Sequence, residues 1–517
     1  MFDIAVLLRL VRRHITARDV IAILALLVAY FTTRLINLDK FPIFTDEGIY
    51  IHWAKIAWKD AGMRFISLTD GKQPLHTWGM IPFLKLFSNN LLLGGRMFST
   101  VSGAVALTGM FSLAWYLLGK RAAFIAAFFY IFTPMFLFYD RMALADSVVN
   151  AGFIWVLFGS ILLVRTLRLD VALLFGLAGG FALLSKSSSQ LFLGLSALAP
   201  VLTLHLKKKQ YLRPALNYYV LYGLGVTIAF VIYNVQRLSP YLHYVALKNN
   251  TFVMSLEEFK NAPFSVIGGN SFILPFYVAS EMNYVLSVMG IVGLVCLYFK
   301  DKRLAFYLTL WVLIPYIGIA FMAKVVFPRY LIFFASILTL TATYLVISFK
   351  KQLYSKSLIA LFIISILYFD YTVLFAPAKI PFPEVDRGQY IESFNAGWGI
   401  TDIVAFSRQK ATEKPVILIG EGNFGVVSDM LQSSLSLTDN ITVRGYWPLT
   451  KADLEANQSE LEKSYVYIVF SHRSQFPTDW PMTRIKEYTK PGNKYSYYLY
   501  ELVPAAVTPG QIPVTLN

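Results

Sequence analysis

The sequence predicts a mainly α protein: a polytopic bundle of about eleven membrane-spanning helices with an extracytoplasmic α/β domain at its C-terminal end. Three observations predict it. Of 517 residues, 56% are hydrophobic and only 15% are charged, with a mean hydropathy of +0.56, whereas a soluble chain carries roughly 25% charged residues. The apolar residues gather into runs near the length of about 20 residues that a bilayer-spanning helix needs. From about residue 377 onward the chain turns polar and rich in turn signals.

The charge distribution fits this class. The net charge of +16 is carried by short clusters between apolar runs, such as "HLKKKQYLR", "KDKR" and "KKQLYSK". Anionic lipid and the positive-inside rule call for that arrangement; nucleic-acid binding does not. The single cysteine, Cys296, sits inside the apolar run "LSVMGIVGLVCLYF", which excludes an internal disulfide and a thiolate metal cluster.

The N-terminal segment, residues 1–19, intersperses Arg9, Arg12, Arg13 and Arg18 with Ile4, Leu7, Leu8, Leu10 and Val11. It lacks the apolar core and small-residue cleavage site of a signal peptide, and reads as an amphipathic helix on the cytoplasmic face. With that end inside, spans are expected at 20–38, 92–118, 122–138, 148–164 and 171–184. A sixth follows "SKSSSQ", and the rest are at 218–233, 284–299, 304–322, 331–348 and 358–375. The expected membrane domain is thus 20–376, with large outer loops at 39–91 and 234–282, in a multi-pass protein of the plasma (inner) membrane. Within the first loop, residues 74–87 are too short and too broken by Pro82 to span, and read as an interfacial helix. The expected outer domain, 377–517, shows strand-like runs ("KPVILIGEG", "ITVRGYWPL", "SYVYIVFSH", "KYSYYLYELVP") and helix-like ones ("ITDIVAFSRQK", "GVVSDMLQSSL", "ADLEANQSELEK"). "GEGNFG" lacks the full dinucleotide-binding spacing and reads as a turn.

This topology leaves every basic cluster inside and sets a second group of charged residues outside together: Asp46, Glu47, Lys72, Arg141, Asp146, Lys186 and Arg329. Charge at membrane depth is costly and commonly functional. Asp46 and Glu47 open a helix in "TDEGIYIHWAKIAW", where a carboxylate serves as a cap beside the helix dipole or as a general base. Tyr50 and His52 follow on that helix. Several cations beside an acid, at the outer surface of the membrane, suit a phosphate-bearing lipid.

In order along the chain these residues stand in "TDEGIY", "GKQPLHTW", "RMALAD", "LLSKSS" and "FPRYL". The ordered set resembles the membrane-embedded C-type (GT-C) glycosyltransferases, in the protein O-mannosyltransferase and aminoarabinose transferase branch. The resemblance covers about the first 350 residues. It implies a polyprenyl-phosphate sugar donor and inverting transfer to a glycan, lipid or protein acceptor. It also implies Asp46 as base with Glu47 in support, and Lys72, Arg329 and Lys186 on the donor phosphate. Arg141 and Asp146, with Tyr50 and His52, order the pocket or meet the acceptor. Two departures bear on cofactors. Lys-Pro-Pro-Leu reads Lys72-Gln73-Pro74-Leu75 here, and Gly71 stands where the aminoarabinose branch carries a metal-site glutamate. Ser187 likewise replaces a glycine after Lys186. No cofactor is assigned; for a divalent metal, His243 in "SPYLHYVALKN" is the one candidate ligand. The readings that compete with transfer are a transporter or flippase, and an inactive relative that assists a glycan polymerase.

Overall fold

A computed structural model describes residues 16–203, 212–422 and 425–504; all but the end of the expected amphipathic helix at 1–19 lies outside the described residues. The chain forms two compact units. The first comprises Met1–Leu38, Ala57–Gly79 and Arg96–Pro383, the second Asp39–Ile56, Met80–Gly95 and Glu384–Asn517.

The first unit is a helical bundle. Each expected span falls on a helix or on consecutive short ones, from Ala17–Leu35 through Leu91–Leu118 and Asp146–Thr166 to Gln352–Phe375. Six described helices are long and apolar enough to cross a membrane by length and composition alone. The others have visible reasons to fall short. Lys120–Phe132 halts at Thr133 before Pro134 starts Pro134–Tyr139, since proline cannot continue a helix. Leu169–Ser185 has 17 residues, and the first helix carries Arg34 in its last turn.

The expected outer loop at 234–282 proves to be largely helical, with Tyr244–Phe252, Leu256–Asn261 and the apolar Ile267–Met282. This last helix turns through 113° into Tyr284–Lys300. Asn283 makes the corner at φ 98°. Its Oδ1 accepts from the amides of Val285 and Leu286 at 2.9 and 3.3 Å, and its amide donates to the Ser365 carbonyl at 3.1 Å. One side chain thereby satisfies donors that a new helix start leaves without partners. Asparagine tolerates positive φ better than most residues, so the corner is encoded by a single polar residue inside an apolar stretch.

A buried polar frame ties the first helix to its neighbours. Arg34 and Asp140 pair at 3.2 Å with both side chains wholly buried. Tyr30 donates to the Thr100 carbonyl at 2.7 Å and to Asp140 at 3.3 Å, and Ser147 donates to Asp140 at 3.0 Å. Arg34 also donates to the Ile131 carbonyl. Arg141, buried beside them, donates to the carbonyls of Thr33, Arg34 and Asn37 at 2.9, 2.8 and 3.2 Å. The first two are carbonyls of the last turn, which a helix C-terminus leaves without partners.

The second unit is α/β. Its strands are β1 (Val416–Glu421), β2 (Ile441–Tyr446), β3 (Tyr465–Phe470), β4 (Met482–Thr489) and β5 (Ser496–Leu502), in the order β2-β1-β3-β5-β4. The first three pair in parallel and the last two join antiparallel. The central strands are apolar on both faces, as a covered parallel sheet requires. β4 escaped the sequence reading because it is an edge strand, "MTRIKEYT", with most of its side chains in solvent. The unit is also not the contiguous 377–517 expected. It takes in helix Thr45–Lys59 up to Ile56, which crosses helix Val426–Ser434 at Gly48, where a Cβ would stand 3.0 Å from the Met430 amide nitrogen.

Removing one member of a buried ion pair costs about 3–5 kcal/mol, because the other charge is left uncompensated. Asp140→Ala is therefore expected to lower the thermal unfolding midpoint of the purified protein more than the double variant Arg34→Met/Asp140→Ala does. Equal or greater loss in the double variant would place the stabilisation elsewhere.

Candidate active site

In the first unit, the sequence-nominated Lys186 pairs with one nominated acid, Asp146, and shares an aromatic ring with Arg329. Asp146 starts helix Asp146–Thr166 and is nearly buried. The Lys186 ammonium lies 3.3 Å from its Oδ1 and 3.9 Å above the Tyr330 ring. The Arg329 guanidinium, also nearly buried, stands 5.4 Å from the same ring and 5.3 Å from that of Phe327. Tyr330 is thus a shared aromatic wall between two cations, a placement that draws on the negative face of the ring. Lys72 approaches Asp70 at 3.7 Å, and Lys248 pairs with the same carboxylate at 2.7 Å. Gln73, which replaces the first proline of the family motif, donates to Ser187 at 3.1 Å, which replaces the glycine. The two departures from the motif are therefore partners in one hydrogen bond.

His76 completes this group. It opens helix Leu75–Leu86 one turn after Lys72 and is wholly buried, with its ring 5.4 Å from that of Phe98. Burial pushes its imidazole down to about 4, helped by the charge of Lys72 and opposed by the Ala143 backbone and Asp146. Burial favours the neutral form of a histidine, so His76 is uncharged throughout the physiological range. The sequence signal for it was present in "KQPLHTW", where the histidine lies four residues from the lysine, just past the start of the proline-preceded helix. Arg141 does not join the cluster by any hydrogen bond described; it binds the carbonyl end of the first helix.

In the second unit, Glu47 and Asp46 separate in role. Glu47 is wholly buried, and its Oε2 accepts from the Phe44 amide at 3.0 Å, which makes it the cap of its own helix. Asp46 is half-buried in the first turn. Thr45, just before it, donates through its amide and hydroxyl to the Asn395 carbonyl at 3.1 and 3.0 Å. The loop at 393–396 is held in turn by Lys490, whose buried ammonium donates to the carbonyls of Ser393, Phe394 and Ala396 at 3.0, 3.3 and 2.7 Å. His52 meets Asp429 through Nδ1, and Asp429 also accepts from the Gly425 amide at 2.6 Å. His52 therefore fixes its helix to Val426–Ser434, and Tyr50 packs edge-on to Trp53 at 5.9 Å.

His243, the candidate ligand for a divalent metal, is engaged otherwise. His243 Nδ1 lies 3.0 Å from the Pro240 carbonyl with its ring against Tyr244. Among the described residues, no three His, Cys, Asp or Glu side chains converge as metal ligands. No step is routed through a metal.

Residues 71–234, which contain Lys72, Arg141, Asp146 and Lys186, match the family model for dolichyl-phosphate-mannose-protein mannosyltransferase. The chain is similar in structure to ArnT from Cupriavidus metallidurans in its apo state, with a TM-score of 0.64 at 15% identity over 94% of this chain and 97% of that one. The same protein bound to undecaprenyl phosphate gives 0.61 at 15% identity, over 93% and 97%. The chain has the GT-C fold. The archaeal oligosaccharyltransferase AglB from Archaeoglobus fulgidus, in complex with an inhibitory peptide and a dolichol-phosphate, matches the chain at a TM-score of 0.52 with 11% identity, over 96% of this chain and 75% of that one. No curated protein matches its sequence.

The buried His76 gives a pH signature. Its pKa is lower folded than unfolded, so the unfolded chain binds the extra proton between about pH 6.5 and 4, and stability falls with pH by up to about 1.4 kcal/mol per unit there. Above that window its contribution is fully present. His76→Gln is expected to flatten the fall of the unfolding midpoint between pH 6.5 and 4; an unchanged slope would mean that the imidazole stays accessible to protons.

Proposed function

We propose that the chain is a glycosyltransferase that moves a sugar from a polyprenyl-phosphate donor to an acceptor on the extracytoplasmic face of the membrane, with inversion at the anomeric carbon. The observation that carries this reading is the group of Lys186 and Arg329 about Tyr330, with Asp146 and the Lys72 segment beside them, inside a GT-C bundle. Cations held by burial and aromatic walls suit a phosphate ester. The matching family model and the oligosaccharyltransferase AglB are transferases by description, which favours transfer over the transport reading.

In this mechanism Lys72, Lys186 and Arg329 bind the donor phosphate and stabilise the negative charge that grows on it as the bond from the anomeric carbon to the phosphate oxygen breaks. Asp46 accepts the proton of the acceptor hydroxyl or amine as that atom attacks the anomeric carbon. The products are the glycosylated acceptor and the free polyprenyl phosphate. Asp146 orients the Lys186 ammonium, and Glu47 holds the first turn from which Asp46 projects. Arg141 acts through the frame, by fixing the end of the first helix. ArnT with undecaprenyl phosphate and AglB with dolichol-phosphate support a polyprenyl donor in this fold.

Membranes containing the protein, given a radiolabelled polyprenyl-phosphate hexose, are expected to label an endogenous acceptor. Asp46→Asn is expected to reduce transfer by about 100-fold or more, the range of general-base contributions. Lys72→Met and Arg329→Met are expected to raise the donor KM as well as lower kcat. Transfer at the parent rate in Asp46→Asn would remove Asp46 as the base.

A further inference from the structure

The second unit carries a row of rings that the proposed chemistry does not use. Trp447 follows β2 directly and is 58% exposed; its ring lies 5.0 Å from that of His472, which follows β3. His472 is 5.0 Å from Phe394 on its other side, and Phe394 is 6.4 Å from Tyr495, which precedes β5 and is 42% exposed. The four rings come from four separate loops, and all lie at one edge of the sheet. That edge is where β1, β2 and β3 end and antiparallel β5 begins.

The position has its own meaning in this topology. From β1 the chain crosses to β2 on one side and then returns to β3 on the other. The carboxyl ends of β1 and β3 therefore flank a switch point, the place where open α/β sheets bind ligands. The last residue of β1, Glu421, is buried there, with its Oε2 3.1 Å from Nε of Arg473. Further polar groups stand at the Tyr495 end. Glu392 pairs with Lys494 at 3.4 Å and with Arg387 through Nε.

Exposed ring faces flanked by carboxylates and guanidinium groups match the chemistry of a saccharide, whose apolar CH faces lie on aromatics while its hydroxyls bond to the charged groups. An anionic ligand would meet Glu421 and Glu392. An apolar helix would desolvate the Arg473–Glu421 and Lys494–Glu392 ion pairs with nothing to offset the cost. The row also ends at a mechanistically loaded place. Phe394 adjoins Asn395, whose carbonyl holds Thr45 beside Asp46.

We propose that the Trp447–His472–Phe394–Tyr495 row binds the sugar residues of the acceptor, so that the acceptor is a glycan. This rests on the transferase reading above and specifies its substrate class. The full chain in lipid nanodiscs can be tested by saturation-transfer NMR, with the aromatic protons irradiated and neutral hexose and N-acetylhexosamine trisaccharides as probes. At least one trisaccharide is expected to receive saturation. Trp447→Ala and Tyr495→Ala are each expected to weaken its binding roughly tenfold, about the worth of one stacked ring, and Trp447→Phe to restore most of it. Because both side chains are exposed, the unfolding midpoint serves as the control for folding. No saturation of any probe, or parent-like binding by the Trp447→Ala/Tyr495→Ala pair, overturns the proposal; so does a peptide probe that alone receives saturation. Trisaccharide binding that survives Asp46→Asn together with undiminished transfer would instead overturn the base assignment and leave the acceptor site standing.

Discussion

The pairing of Arg34 with Asp140 is the interaction on which the membrane-embedded unit depends. Two full charges lie where water does not reach, so each is tolerable only because the other is there and because Tyr30, Ser147 and backbone carbonyls complete their hydrogen bonds. The pair sits at the junction of the first helix, helix Leu91–Leu118 and the turn that leads into Asp146. Fixing that turn fixes where helix Asp146–Thr166 begins, and hence where Asp146 meets Lys186. Arg141, adjacent in sequence to Asp140, binds the carbonyls at the end of the first helix. Two consecutive residues thus connect the first span to the cation cluster.

The second unit rests on a different constraint, a close approach of backbones. Gly48 lets helix Thr45–Lys59 press against Val426–Ser434, and Ser433 donates to the Gly48 carbonyl at 2.7 Å. His52 with Asp429 and Lys55 with Gln432 continue the seam in the same direction. The helix that carries Asp46 is consequently positioned by side chains nearly 400 positions away in sequence, as well as by its own cap.

Much of this was legible in the sequence, and the limits follow from physics. Spans were legible because a run of apolar residues has one meaning in lipid, and four strands were legible from their apolar composition. The edge strand β4 was not, because "MTRIKEYT" buries too little to leave a pattern. The helix Ile267–Met282 was obscured by its place beside another apolar run, where only Asn283 marks a corner. Among candidate site residues, Lys186, Asp146 and Arg329 were found as charges beside apolar runs, and the structure brings the two cations to Tyr330 and pairs Asp146 with Lys186. His76 was overlooked because a buried neutral histidine looks like any interfacial one. Arg34 and Asp140 were overlooked because a single charge near the end of a span reads as a snorkelling side chain. Neither shows its partner until the fold supplies it.

The composition of the second unit from three separated stretches governs how the protein is made. Its core needs Asp39–Ile56 and Met80–Gly95, synthesised before most of the bundle, and Glu384–Asn517, synthesised after it. A chain emerging from the ribosome completes domains from its N-terminal end, yet here the acidic helix has no partner until the whole bundle has been inserted. Closing contacts across such separations is slow, since the entropy of loop closure must be met before the contacts form. The carboxylate proposed as base is therefore left unassembled until the stretch that follows the bundle has been made. A chain stalled within the bundle would carry that carboxylate on a helix whose packing partners had not yet been made.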